Sequence, residues 1–258
     1  MKYHNQSLLS PEKFHKLYNH SIETVGIEGD IIEIGLFRGG SFAMLCETNP
    51  FKHVYGFDTF EGLPQHSKED NKHVKGEFAN TSIEIVENLV SHLNNYTIEK
   101  ARFPQEINID LSDKKFSLVH IDVDLYHEYI NVLNFIYDKV SKNGRIVFDD
   151  YNHPNCHGAK KAVDLFFKDK PEEIITSNTS QAFVVKIYFT YQSLRLNTQD
   201  IWDDLEFIII DNNPESSEGK AVKHFCESTK QIRYIPYTEK LTTASRNQIF
   251  ENSESKFC

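Results

Sequence analysis

The chain lacks the features that would set it in a membrane, on a nucleic acid or in a disulfide scaffold. None of its apolar runs approaches the roughly 18 consecutive residues that a spanning helix needs. Its first residues, MKYHNQSLLS, have neither the basic start nor the apolar core of a secretory leader. The expectation is a cytoplasmic protein with no membrane span. Cysteine is scarce. Cys46, Cys156, Cys226 and Cys258 stand far apart with no CxxC pair among them, which argues against a zinc ribbon or a disulfide framework and for reduced thiols. Positive charge is in deficit too: 28 Lys and Arg face 38 Asp and Glu, a formal charge of −10. Such a balance repels a phosphate backbone, and no basic stripe is interleaved with aromatics, so no nucleic-acid partner is expected. Short-period repeats and low-complexity tracts are missing as well.

What is there is a chain of 258 residues, long enough for one full α/β domain with something extra or for two small domains. From about 30 to 187, short apolar runs alternate with amphipathic segments. IIEIG (31–35), HVYGFD (53–58), FSLVHID (116–122), RIVFDD (145–150) and AFVVKI (182–187) are brief, β-branched or aromatic, and bounded by Gly, Asn or Asp; they predict buried strands. HEYINVLNFIYDKVSKNG carries Ile130, Leu133, Tyr137 and Val140 at helical spacing and predicts a helix ending at Asn143-Gly144. GAKKAVDLFFKD and SFAMLCE predict two more helices. Alternating strands and helices imply right-handed crossovers and a mainly parallel sheet, with ligands at the carboxyl ends of the strands. Residues 1–29 predict a helical preamble. Segment 59–81 is polar and long, a candidate lid or else a surface insertion. After Ile187 the pattern becomes helix, strand, helix, strand, helix without a closing strand, giving the division 1–29, 30–187 and 188–258.

Two stretches carry chemistry. GDIIEIGLFRGGSF sets Glu33, Gly35 and Gly39 as ExGxxxG between a strand and a helix. Glycines there allow a sharp turn with a ligand against the backbone. The spacing is not the GxGxxG of dinucleotide sites, and its acid suits a ligand bearing hydroxyls or a cation rather than a pyrophosphate. Asp58, ending the second strand, is placed to accept hydrogen bonds from ribose hydroxyls. Together they describe an adenosyl ligand without phosphate, which S-adenosylmethionine fits. The second feature is four acids: Asp122 and Asp124 after one apolar run, Asp149 and Asp150 after the next. If the two strands pair, neighbouring backbones lie about 4.8 Å apart and the carboxylates converge. Uncompensated, they raise one another's pKa values; a hard divalent cation such as Mg²⁺, Mn²⁺ or Ca²⁺ removes the penalty. The alternative is that Asp124 caps the helix beginning near Tyr126 and Asp150 organises the turn at Asn152. His120 either lines the site or, the favoured reading, is a satisfied core histidine; His153 and His157 read as substrate contacts or exposed loop residues beside the site rather than as bases or ligands.

EIGLFRGGS, FDTFEGLP, HIDVDLY and FDDY followed by GAKKAVDLF resemble the macrocin O-methyltransferase (TylF/MycF-like) family over about residues 29–187. The resemblance implies a Rossmann-like class I methyltransferase fold, with helices on both faces of its sheet. It also implies S-adenosylmethionine as donor and Mg²⁺-dependent methylation of a sugar or glycan hydroxyl. By position it implies that Asp122, Asp149 and Asp150 hold the metal and Asp124 acts as base. Glu33, Gly35, Gly39, Ser41 and Asp58 match its donor-binding positions. One departure is Val123, where the family usually has glycine. A homo-oligomer is in keeping with the family. Residues 188–258 resemble the start of a family 2 glycosyltransferase, a partial α/β segment that points to a glycan-type acceptor. The alternatives are a fragment of a bifunctional glycan-modifying protein, or a donor-binding module without turnover.

Overall fold

The five apolar runs and two further strands assemble into one sheet in the order β3-β2-β1-β4-β5-β7-β6. Its strands are β1 (Asp30–Ile34), β2 (Val54–Asp58), β3 (Tyr96–Lys100), β4 (Phe116–Ile121), β5 (Val140–Phe148), β6 (Ile175–Thr176) and β7 (Ala182–Val185). The first five run parallel, and β7 is antiparallel to both β5 and β6. The structure is a computed structural model and describes residues 2–70, 72–187, 207–211, 220, 223 and 232–236. Its helices are α1 (Pro11–Glu23), α2 (Gly40–Thr48), α3 (Ile83–Val90), α4 (Tyr126–Ile136) and α5 (His157–Phe167).

Period-two alternation sends successive strand residues to opposite faces, so a parallel sheet needs a helical layer on each side. Ile32, Ile34, Val119, Ile121, Ile146 and Phe148 face one core with Tyr129, Val132 and Leu133 of α4 and Ala162 and Val163 of α5. Ile31, Leu118 and Val147 face the other core, with Phe14 and Leu17 of α1, Phe42 and Leu45 of α2, and Val86 and Val90 of α3. This is the mainly parallel α/β sheet with helices on both faces that the sequence predicts. Among the described residues, no helix is long and apolar enough to cross a membrane.

The helix predicted to end at Asn143-Gly144 stops much earlier. α4 ends at Ile136, a short 3₁₀ turn (Tyr137–Lys139) follows, and Val140 already pairs with Phe116 in β5. Asn143, at a φ of +65°, sits in an irregularity of β5 where the register with β4 shifts. Its N–H bonds to the Lys186 carbonyl (2.9 Å), and the Lys186 N–H bonds to the Gly144 carbonyl (2.7 Å). The left-handed propensity that makes Asn-Gly a helix stop serves equally in a strand bulge. The sequence reading also missed α3, β3 and the two-residue β6. Segment 59–81 has no helix or strand among its described residues.

The chain divides into two units, the first Met1–Lys170 with Ile174–Lys186, the second Pro171–Glu173 with Ile187–Cys258. In the second, β8 (Phe207–Asp211) and β9 (Ile232–Pro236) form a parallel pair where two strands were expected. The helices expected before, between and after them lie outside the described residues, apart from Lys220 and Lys223 of the middle one, which are helical.

Candidate functional site

At the end of β1 the chain must turn beneath its neighbour. Gly35 does so at a φ of +90°, and a Cβ there would stand 1.9 Å from the carbonyl oxygen of Asp122; no other residue fits. Gly39, at +81°, precedes α2, and its added Cβ would meet Val86 at 2.6 Å. Asp58 ties the turn down: Oδ2 accepts the N–H groups of Leu36 (2.8 Å) and Phe37 (2.9 Å), and Oδ1 that of Phe60 (2.7 Å). Beyond these strand ends opens a cleft of about 360 Å³, within the range typical of small-molecule sites. Gly35, Ser41 and Asp58 line it; Glu33 and Gly39 do not. Glu33 is fully buried behind the turn, with Oε1 2.8 Å from His120 Nδ1 and no partner for Oε2.

The four acids stand across the same cleft. Ile121 of β4 is opposite Phe148 of β5, so the residues just beyond, Asp122 and Asp149, emerge side by side. One carboxylate oxygen from each of Asp122, Asp149 and Asp150 lies within 4.8 Å of the others. Asp124 is turned away from this trio by a left-handed backbone (φ +58°), with the Leu125 N–H bonding back to the Val123 carbonyl at 2.5 Å. Its own N–H donates to Asp150 Oδ2 (3.1 Å). Val123, between the two acids, also lines the cleft.

Charge is compensated unevenly. Asp149 accepts from the ammonium of Lys13 and from Gln181 Nε2 (2.8 Å), with His120 Nε2 3.9 Å away. Burial opposes its ionisation, but His120 and Lys13 outweigh that and hold it below the usual carboxylate range. Burial, reinforced by Asp149, Asp150 and Asp124, pushes Asp122 well up; burial and Asp150 do the same to Asp124. Asp150 is pushed up to about 6 by burial and Asp149, although the Tyr129 hydroxyl donates to it at 3.0 Å. Burial works against charge on His120, yet Asp149 and Glu33 lift it to about 10. It is fully buried in the core, as expected, between Glu33 and Asp149. The trio offers only oxygen, with negative charge in excess, and so fits a hard divalent cation.

The capping alternative fails for both acids. The first N–H of α4, from Tyr126, goes to Asp70 Oδ1 (2.9 Å), a residue of segment 59–81. Asp150 spends its side chain on Asp124 and Tyr129, while the Asn152 N–H goes to the Ser180 carbonyl (2.9 Å). The sequence did not place His73 or Cys156 beside the acids. Cys156 Sγ donates to Asp124 Oδ1 at 3.3 Å, and His73 Nε2 lies 3.5 Å from the same oxygen. Lys13, His73, Tyr129, Cys156 and Gln181 were all missed, because chain separations of up to 136 residues carry no local signal. Segment 59–81 contributes Leu63, Pro64, His73, Glu77 and Phe78 to the lining of the cleft.

Residues 12–177 match the sequence family described as Macrocin-O-methyltransferase (TylF). An uncharacterised protein of Acanthamoeba polyphaga mimivirus is 30% identical over 121 residues, covering 46% of this chain and 50% of its own. The 8-demethyl-8-(2,3-dimethoxy-alpha-L-rhamnosyl)-tetracenomycin-C 4'-O-methyltransferase of Streptomyces olivaceus is 23% identical over 158 residues, covering 54% of this chain and 60% of its own. The chain thus spans about half to three fifths of the length of these relatives. Among solved structures, the O-methyltransferase NovP has the same fold, with a TM-score of 0.61 at 20% identity over 71% of this chain and 83% of its own.

Proposed function

The chain belongs to the macrocin O-methyltransferase (TylF) family, and from that premise we propose that it moves a methyl group from S-adenosylmethionine to a hydroxyl of a sugar or glycan-type acceptor, assisted by a hard divalent cation such as Mg²⁺. The observation that carries this reading is the convergence of Asp122, Asp149 and Asp150 on one point of the cleft that the glycine turn opens. The balance of charge agrees with it. Seven carboxylates line the cleft against Lys13 and Arg102, and both cations are engaged, Lys13 by Asp149 and Arg102 by Glu128 (2.5 Å). A sulfonium donor suits such walls and a phosphate does not. The relative whose name specifies a rhamnosyl-bearing tetracenomycin supports a sugar hydroxyl as acceptor, as does the likeness of residues 188–258 to the start of a glycosyltransferase.

In this scheme Gly35, Ser41 and Asp58 hold the donor, while Glu33 and Gly39 shape that end from behind. Asp122, Asp149 and Asp150 would hold the cation, which when bound would lower the pKa of an acceptor hydroxyl and orient it. Asp124 stands outside the trio and takes the hydroxyl proton on its carboxylate. Burial and the Asp150 charge raise its pKa, which favours uptake of a proton. Its left-handed backbone stores about 1–3 kcal/mol of strain, consistent with an aim fixed by the surrounding structure. Val123 narrows the acceptor side.

The test combines calorimetric titration of S-adenosylmethionine with turnover on a panel of rhamnosides. Asp124→Asn should lower kcat by about 10²–10⁴-fold with donor affinity retained. Asp149→Asn should remove the response to Mg²⁺. Full turnover of Asp149→Asn with an unchanged response to the cation would remove the acid cluster from the mechanism.

A further inference from the structure

We propose that His73, Cys156 and Asp124 form a second metal site, separate from the three-aspartate cluster, which takes a soft transition-metal ion such as Zn²⁺ and, when filled, fixes segment 59–81 over the cleft. The three donor atoms come from three places in the chain: the lid segment, the β4–α4 turn, and the residue that precedes α5. His73 Nε2 lies 3.3 Å from Cys156 Sγ and 3.5 Å from Asp124 Oδ1, and Sγ lies 3.3 Å from Oδ1. Tetrahedral zinc, with bonds of about 2.0–2.3 Å to nitrogen, oxygen and sulfur, sets its ligands roughly 3.3–3.7 Å apart. The triangle is already of that size.

A second observation points the same way. His73 Nδ1 is 3.0 Å from Glu77 Oε2. A carboxylate there holds the proton on Nδ1 and leaves the Nε2 lone pair directed at Cys156 and Asp124, the arrangement that orients metal-bound histidines. Both soft donors are protected, His73 at 6% exposure and Cys156 at 1%. His153 Nδ1, 3.2 Å from Sγ, backs the thiol from outside the triangle. Three protein donors leave a fourth position for water. Ligand softness sorts the two sites: thiolate and imidazole favour zinc or cobalt, three carboxylates favour magnesium. The catalytic consequence rests on the role proposed above for Asp124. An ion bound to its carboxylate would block proton transfer, making the site inhibitory.

The probe is Co²⁺, added to the reduced protein in saturating Mg²⁺ so that the aspartate trio is occupied. One equivalent should bind with an intense cobalt–thiolate charge-transfer absorption, and Zn²⁺ should displace it. Cys156→Ser should abolish the absorption, and Glu77→Gln should weaken binding by about 10–100-fold. His73→Gln, on the lid segment, gives a second test independent of how Cys156→Ser folds. A wild-type protein without the absorption, or a Cys156→Ser variant that keeps it, overturns the site. Zn²⁺ should also slow tryptic cleavage at Lys72 and Lys75; an unchanged rate overturns the claim that the ion fixes the segment. Asp149→Asn should keep the cobalt spectrum, so loss of methyl transfer with the spectrum intact bears on the proposed function and not on this site.

Discussion

Asp149 is the acid whose charge the fold already answers, and the partner that answers it, Lys13, comes from the far end of the chain. The pair is largely out of solvent, with side-chain exposures of 12% and 3%. Removing one member of such a pair strands the other, at about 3–5 kcal/mol. Lys13→Met should therefore destabilise the metal-free protein by roughly 3 kcal/mol in chemical denaturation, and saturating Mg²⁺ should recover most of the loss. A gap that Mg²⁺ leaves untouched would mean that the acids do not bind the cation. The acids themselves were legible in the sequence, because paired carboxylates at the ends of apolar runs conflict with burial. Lys13 was not, since a lysine in the first turn of an amphipathic helix is what solvent exposure also produces.

Among the elements, α1 shows how one helix both seals a core and supplies the site. Pro11 at its first position and the Ser10 hydroxyl, which accepts the Lys13 N–H (3.3 Å), start it. Phe14 and Leu17 pack on the sheet, and the other end is clamped by Arg145 of β5, which meets Glu23 and lies 2.8 Å from His20 Nδ1. Burial, then the Arg145 charge, lowers His20 to about 3. The folded state thus binds fewer protons at His20 than the unfolded chain below its ordinary value of about 6.5. Its contribution is intact above that pH and lost progressively as the pH falls towards 3, at up to about 1.4 kcal/mol per unit. His20→Gln should flatten this part of the pH–stability profile; an unchanged slope would place the acid sensitivity elsewhere. At α4 the cap comes from the lid. Asp70→Ala should cost about 1 kcal/mol and raise the susceptibility of segment 59–81 to proteases, whereas an unaltered cleavage rate would mean that Asp70 does not hold the segment. Strands with strong apolar alternation were legible because the pattern is local. The end of α4 was not, because helical spacing continues through Val140 and only pairing with Phe116 decides that this residue belongs to a strand.

For the molecule as a whole, a site built from crowded acids is stabilised by whatever neutralises them. Donor and cation, each at about 100 times its dissociation constant, should each stabilise by about 2.7 kcal/mol. The change should appear as a rise of several degrees in the melting of the unit that carries the cleft; melting unmoved by either ligand would count against both sites. Period and turn chemistry alone determined the parallel α/β sheet, the glycine turn and the four acids at two strand ends, since each depends on neighbours a few residues apart. The tertiary structure decided that Asp122, Asp149 and Asp150 face one another while Asp124 turns aside. It also decided that Asp70 rather than Asp124 caps α4, that Glu33 is spent on His120 behind the cleft, and that His73 and Cys156 stand beside the fourth acid. Those outcomes depend on which strand lies next to which and on where a long polar segment folds back, and residues so distant in sequence carry no local pattern that records their meeting.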